Sequence, residues 1–155
     1  MRGKQAVKRV LQPDTKYKSV LVSKLINYVM LDGKKSTAQR VVYDAFEIME
    51  KKAGKPAMDV FDLAMKNIIP AVEVRSRRVG GANYQIPTPV RGDRRYALAY
   101  RWILLAARGK KGRPMAERLA AEFIAGAEGE GDSVKKRQDV QRMADANRAF
   151  AHFAR

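Results

Sequence analysis

Cysteine is absent from the 155 residues, which removes disulfides, thiolate metal ligands and cysteine nucleophiles together. Histidine occurs once, at position 152, and serines are few, with Ser19, Ser36 and Ser133 falling where helix caps are expected. Nucleophilic and general-base chemistry needs a histidine or a perturbed acid beside a nucleophile. His152 is read as a surface or packing residue, so no catalytic residue, metal site or cofactor is expected. Gly33-Lys34-Lys35-Ser36 has the ending of a phosphate-binding P-loop, but that motif needs a glycine where Tyr28 stands. No apolar run reaches the length of a membrane span, and no signal-peptide core opens the chain. The expectation is a cytoplasmic protein with no membrane partner.

Acidic residues are also scarce: 16 Asp and Glu stand against 32 Lys and Arg, a net charge of +16. Hydrophobic residues still make up 46% of the chain, too many for a disordered polyelectrolyte. A chain of this length is most simply one domain, able to bury roughly 70% of its unfolded surface. The charge is blocked rather than scattered. Residues 1–18, 71–95, 96–116 and 135–155 are strongly basic, 36–70 are neutral and 117–134 are acidic. Alternating blocks suit a footprint that wraps a polyanion, and nucleic acid fits better than a membrane surface.

The chain is organised around residues 72–90, VEVRSRRVGGANYQIPTPV. Residues 72–79 read as one strand, Gly80-Gly81-Ala82-Asn83 as a turn, and 84–90 as a second strand. Pro87 and Pro89 cannot donate ladder hydrogen bonds, so a two-stranded ribbon is expected rather than a wider sheet. If Val79 pairs with Tyr84, arginine lies on both faces: Arg75 and Arg77 on one, Arg78 on the other. Neither face is then cleanly apolar. An arm gripped by an anion explains this; an ordinary solvated hairpin is the alternative.

Helices account for the remainder, giving a mainly α, single domain of about six helices with one protruding ribbon between helices 3 and 4. Residues 1–18 form a basic N-terminal arm carrying Arg2, Lys4, Lys8 and Arg9, broken by Pro13-Asp14; residues 19–155 form the helical domain. Ser19 is expected to cap helix 1, running to about Leu31. A Ser36/Gln39 capping box opens helix 2, to about Lys52. Lys34 and Lys35 sit on the loop between them. Gly54 ends helix 2, Pro56 suits the first turn of helix 3, and Pro70 stops it. Asp93 is expected to cap helix 4, to about Arg108, with Leu98, Trp102 and Leu105 facing inward and Trp102 in the core rather than stacking on a base. Arg91, Arg94, Arg95, Arg101 and Arg108 accompany it. The loop Gly109 to Pro114 carries Lys110, Lys111 and Arg113. Helix 5 spans about 115–127, with Glu117, Glu122 and Glu128 on a solvated acidic face. Helix 6 is expected from Val134 to Phe153, capped by Asp132 or Ser133, with Val140, Met143, Ala144 and Phe150 inward and Lys135, Lys136 and Arg142 outward.

Longer strings carry a resemblance. LQPD with Tyr17, DGKKSTA at 32–38, VEVRSRRVGGANYQIP at 72–87, LAYRW at 98–102 and VKKRQDVQRMADANRAFAH at 134–152 cover nearly the whole chain. In this order and spacing the chain resembles bacterial small-subunit ribosomal protein seven, the S-seven family. It departs from that family in a less arginine-dense N-terminal arm and in ending Phe153-Ala154-Arg155 where members commonly end Tyr-Arg-Trp. The resemblance implies a structural protein that binds the 3′ major domain of 16S ribosomal RNA directly and nucleates assembly of the subunit head. It also implies a place at the subunit interface near the exit-site transfer RNA, with messenger RNA nearby and small-subunit proteins nine and eleven as partners. An architectural DNA-binding protein is the rival, but the tip Gly80 to Asn83 has no bulky wedge for kinking DNA. An RNA-modifying enzyme is a reading of a different class, and the sequence carries neither a cofactor loop nor a catalytic cluster for it.

Overall fold

Apolar residues recurring every three or four positions force this chain to bury one stripe of each helix, and the stripes converge on one core. The computed structural model describes residues 3, 6, 7 and 9–154. Among them the order is α1 (Val20–Val29), α2 (Lys35–Ala53), α3 (Ala57–Ile68), β1 (Val72–Val79), β2 (Ala82–Pro89), α4 (Asp93–Gly109), α5 (Met115–Ala127), α6 (Asp132–Ala146) and a closing 3₁₀ helix (Arg148–Ala154). The expected mainly helical single domain, with its ribbon between α3 and α4, is the observed fold.

Three phenylalanines join α2, α3 and α5 at the centre. Phe46 and Phe61 have centroids 5.6 Å apart, Phe61 and Phe123 5.5 Å, and Phe46 and Phe123 6.3 Å. All three are fully buried. Tilted and edge-on rings at such spacings add roughly 0.5–1.5 kcal/mol per pair beyond the area they bury. Gly126 lets α5 lie close on α3, since a Cβ there would stand 2.9 Å from Ile68 Cδ1. Asn67 Nδ2 donates to the Gly126 and Ala127 carbonyls, both at 3.0 Å, satisfying the end of α5.

Several helix ends differ from expectation. Ser19 is extended and makes no side-chain cap, and α1 stops at Val29. The Ser36/Gln39 capping box does not form. Lys34 is the N-cap, and Gln39 Nε2 donates instead to Tyr43 Oη at 2.7 Å. Pro56 and Gly92 precede α3 and α4, leaving Asp93 inside the first turn of α4. Gly131 precedes α6, which ends at Ala146 rather than Phe153, and Asn147 marks the break before the 3₁₀ turn. Gly54 does end α2 as expected, at φ 62°.

The ribbon register pairs Val79 with Ala82 and Arg77 with Tyr84. The turn is therefore Gly80-Gly81 alone, both at positive φ (57° and 88°), which the right-handed twist of a tight hairpin favours. Arg75 and Arg77 still share one face, and Arg78 takes the other. The root of the ribbon is packed: Glu73, Ile86 and Val90 are buried. Tyr84 meets Phe150 of the 3₁₀ helix with centroids 5.1 Å apart. One face thus leans on the C-terminal segment instead of standing clear of the body.

Candidate nucleic-acid interface

The seven-residue spacing of Arg94, Arg101 and Arg108 returns each to the same side of α4, two turns apart. All three are exposed, as are Arg91 and Arg95 at its start. The buried side of the helix is Ala99, Tyr100, Ile103, Leu104 and Ala107. This corrects the sequence expectation. Leu105 is 66% exposed, Leu98 and Trp102 are half-buried, and the stripe is rotated toward Tyr100. Tyr100 Oη donates to the Leu21 carbonyl at 3.0 Å, so its hydroxyl is satisfied inside the core. Burial pushes that phenol far above its ordinary range.

At its first turn α4 meets the ribbon. Arg94 Nε and Nη2 donate to Glu73 Oε2 at 3.1 and 3.0 Å, while Arg75 Nε donates to Glu73 Oε1 at 2.6 Å. Glu73 is buried, whereas the Arg75 and Arg94 side chains are 63% and 44% exposed. Arg77 and Arg78 lie further out, both exposed. On the neighbouring side Lys24 of α1 reaches Asp93 at 2.7 Å. Lys24, Tyr28, Arg94, Tyr96 and Arg101 line a groove of about 510 Å³ between α1 and α4.

About 25 Å away, by helix geometry, the other end of α4 carries a second basic group. Arg108 Nη2 donates to the Val29 carbonyl at 3.4 Å and so joins α4 to the end of α1. Lys34 and Lys35, both exposed, follow as the N-cap and first residue of α2 rather than on the loop where they were expected. The loop after α4 presents exposed Lys111 and Arg113. Arg118 of α5 shapes this loop by donating from Nη1 to the carbonyls of Arg108 and Lys110. No sequence signal singled out Arg118.

Lys110 behaves differently from its neighbours. Its ammonium donates to Glu122 Oε2 at 2.6 Å, and Glu122 is wholly buried. Glu122 Oε1 accepts from the Ser133 backbone N–H at 2.9 Å and from its hydroxyl at 2.7 Å, at the first turn of α6. Burial alone would push this carboxyl up. Hydrogen bonds from Lys110 and from Ser133 outweigh it and hold the group below the usual carboxylate range. The expected solvated acidic face is therefore wrong for Glu122. A carboxylate at the buried phase of a helix, three residues after Leu119, is retained because three donors satisfy it.

The remaining expected cations are dispersed. Lys135 and Arg142 of α6 pair with Asp132 at 3.8 Å and Asp139 at 3.0 Å, each three residues away. Lys136 shares a groove with Trp102, Leu105 and Lys110. Met143, expected inside, is 40% exposed, while Val140 and Ala144 are buried. Arg9 is exposed. Arg2, Lys4 and Lys8 lie outside the described residues. Nearer the body, Asp14 is buried and accepts the backbone N–H groups of Lys16 and Tyr17 at 3.1 and 3.0 Å and the Tyr43 hydroxyl at 2.8 Å. Tyr17 packs on Phe46 with centroids 5.0 Å apart. Residues 14–17 are thus fastened to α2. Among the described residues, no helix is long and apolar enough to cross a membrane.

Comparison with known proteins identifies the family. Residues 1–148 match the model of the family described as Ribosomal protein S7p/S5e. A protein of Vibrio atlanticus is 56% identical over 145 residues, covering 94% of this chain and 93% of its own. One from Methylorubrum extorquens is 53% identical over 152 residues (98% and 97%), and one from Chloroflexus aurantiacus 52% over 148 (96% and 94%). Each of the three carries the name Small ribosomal subunit protein uS7. With the match spanning nearly every residue, the ribbon and the α4 arginines included, the chain belongs to the ribosomal protein S7p/S5e family.

Proposed function

We propose that this chain binds the 3′ major domain of small-subunit ribosomal RNA directly and nucleates assembly of the subunit head. The family is a structural, non-enzymatic part of the small ribosomal subunit, and the chain serves translation there. The observation that carries the finer reading is the arginine line along α4, with a basic group at each end. The ribbon arginines stand at one end, and Lys34, Lys35, Lys111 and Arg113 at the other. A-form RNA hides its major groove, so proteins grip it through phosphates, 2′-hydroxyls and shape. Cations spread over about 25 Å on a rigid helix can hold separate backbones of one RNA junction. Arginine suits the task because its planar fork meets phosphate in two directions and also stacks.

Within the subunit the chain lies at the interface near the exit-site transfer RNA, close to messenger RNA, with small-subunit proteins nine and eleven as neighbours. The family resemblance supports this placement. The basic arm of residues 1–18 adds contacts once RNA is present.

The test is binding to a 3′ major-domain fragment against equal-length duplex DNA and unrelated RNA, with salt titrated in each case. If roughly 6–10 phosphates are neutralised, affinity falls about 10³- to 10⁵-fold between 50 and 200 mM salt. Preferential binding to the fragment that survives competitor at physiological salt is the expected result. Equal affinity for all three would overturn the assignment.

A further inference from the structure

Glu73 is an odd residue to find buried in a ribbon whose task is to hold an anion. It lies on the same face as Arg75 and Arg77 and pairs across the ribbon with Thr88. Its two carboxylate oxygens are divided between two elements, Oε1 to Arg75 of β1 and Oε2 to Arg94 of α4. Each arginine uses donors on Nε and Nη2 for this contact, leaving the remaining N–H groups of its five-donor fork available. Both side chains stay well exposed although the carboxylate is not. Two guanidinium groups so close would repel and wander if nothing negative lay between them.

We propose that Glu73 is a positioning residue that fixes Arg75 and Arg94 as one twin-guanidinium site for an RNA backbone phosphate at the junction of ribbon and α4. This rests on the RNA-binding reading above. The carboxylate orients each fork before RNA arrives, so the ordering cost of two long side chains falls on folding rather than on binding. It also ties the ribbon's angle to the α4 arginine line, so that RNA meeting one is in register with the other.

The sign of one substitution separates this from simple electrostatics. Glu73→Gln removes a negative charge from a protein of net charge +16. Charge alone would then tighten binding to any polyanion. A positioning role requires the opposite on the structured target. The experiment uses the full chain and measures affinity for the 3′ major-domain fragment and for an unrelated RNA of equal length, with thermal melts alongside. Glu73→Gln is expected to weaken fragment binding about tenfold, the scale of one lost charge-assisted contact, with no loss on unrelated RNA. Arg75→Lys and Arg94→Lys keep the charge but lose the fork, and each should reproduce the loss. Combined with Glu73→Gln, their effects should not add. Unchanged or tighter fragment binding by Glu73→Gln, an equal loss on both RNAs, or fully additive losses would overturn the proposal. Should Glu73→Gln fail to fold, the two lysine variants decide, and full fragment affinity in both would overturn it. A wild-type chain that does not distinguish the fragment from unrelated RNA would overturn the direct-binding reading above, and this one with it.

Discussion

Replacing Glu122 by glutamine tests how the second basic group is held. The carboxylate is fully buried and accepts three hydrogen bonds, one from Lys110 and two from Ser133. Glutamine keeps the shape but removes the charge, and it turns one acceptor into a donor that faces the Lys110 ammonium. Lys110 is 40% exposed and can turn to water, so its loss is partial. The Ser133 groups are buried and cannot. Hydrogen bonds to a charged group contribute roughly 1.5–3 kcal/mol, and that is the expected cost. For a domain of this size it lowers the melting temperature by roughly 3–12 °C. The pH dependence follows from the lowered native pKa. Such a group contributes its full stability above the usual carboxylate range near about 4.3, and that contribution is lost as pH falls through the native value. Wild type and Glu122→Gln should therefore differ most near neutral pH and converge in acid, as followed by chemical denaturation from about pH 7 to pH 3. A constant difference across that range, or a variant as stable as wild type at pH 7, would refute the reasoning.

Three further outcomes are expected. Arg77→Ala with Arg78→Ala should weaken RNA binding and flatten its salt dependence by about 0.7–0.9 per lost phosphate contact, while the melt shifts little because both positions are exposed. A large fall in melting temperature would make the ribbon tip part of the core. Asp14→Ala should cost about 1–3 kcal/mol by stripping the acceptor from the Lys16 and Tyr17 amides and the Tyr43 hydroxyl, seen as faster amide exchange at positions 16 and 17 with α3 unaffected. Phe123→Ala should cost about 3–5 kcal/mol in urea unfolding, since it empties the centre of the three-ring cluster.

Element order was legible because helix periodicity, two helix-ending signals and a Gly-Gly turn are local features. What neighbours decide was less legible. On α4, Leu98, Trp102 and Leu105 form one apolar arc, and Tyr100, Ile103, Leu104 and Ala107 form another. Apolar character alone does not separate the two. The fold buries the second, because the Tyr100 hydroxyl finds a carbonyl on α1 and the small alanines admit close packing. Glu122 was hidden inside an acidic block, yet its phase matched Leu119 and Phe123; a block average of charge cannot show which acid turns inward. Helix caps failed at four places because a side-chain cap competes with other partners, as Gln39 does with Tyr43. Of the candidate site, the ribbon and α4 arginines were readable as exposed cations. The carboxylates that restrain Arg94 and Lys110 needed the tertiary contacts, because those partners lie on different elements. Glu73 shares a strand face with Arg75, but its burial was not readable from the strand alone.

The three-ring centre also sets an order of events during synthesis. Phe46 and Phe61 come from neighbouring helices, but Phe123 follows Phe61 by about 60 residues, after the ribbon and α4. At ordinary elongation rates of about 5–20 residues per second, α2 and α3 wait roughly 3–12 s for their third partner. During that interval the nascent chain's cations rise from 13 to 26 of the final 32 while its two aromatic rings remain unsealed. Cellular RNA can therefore engage the chain before its interior closes, and whatever shields Phe46 and Phe61 in those seconds governs how much of the protein matures.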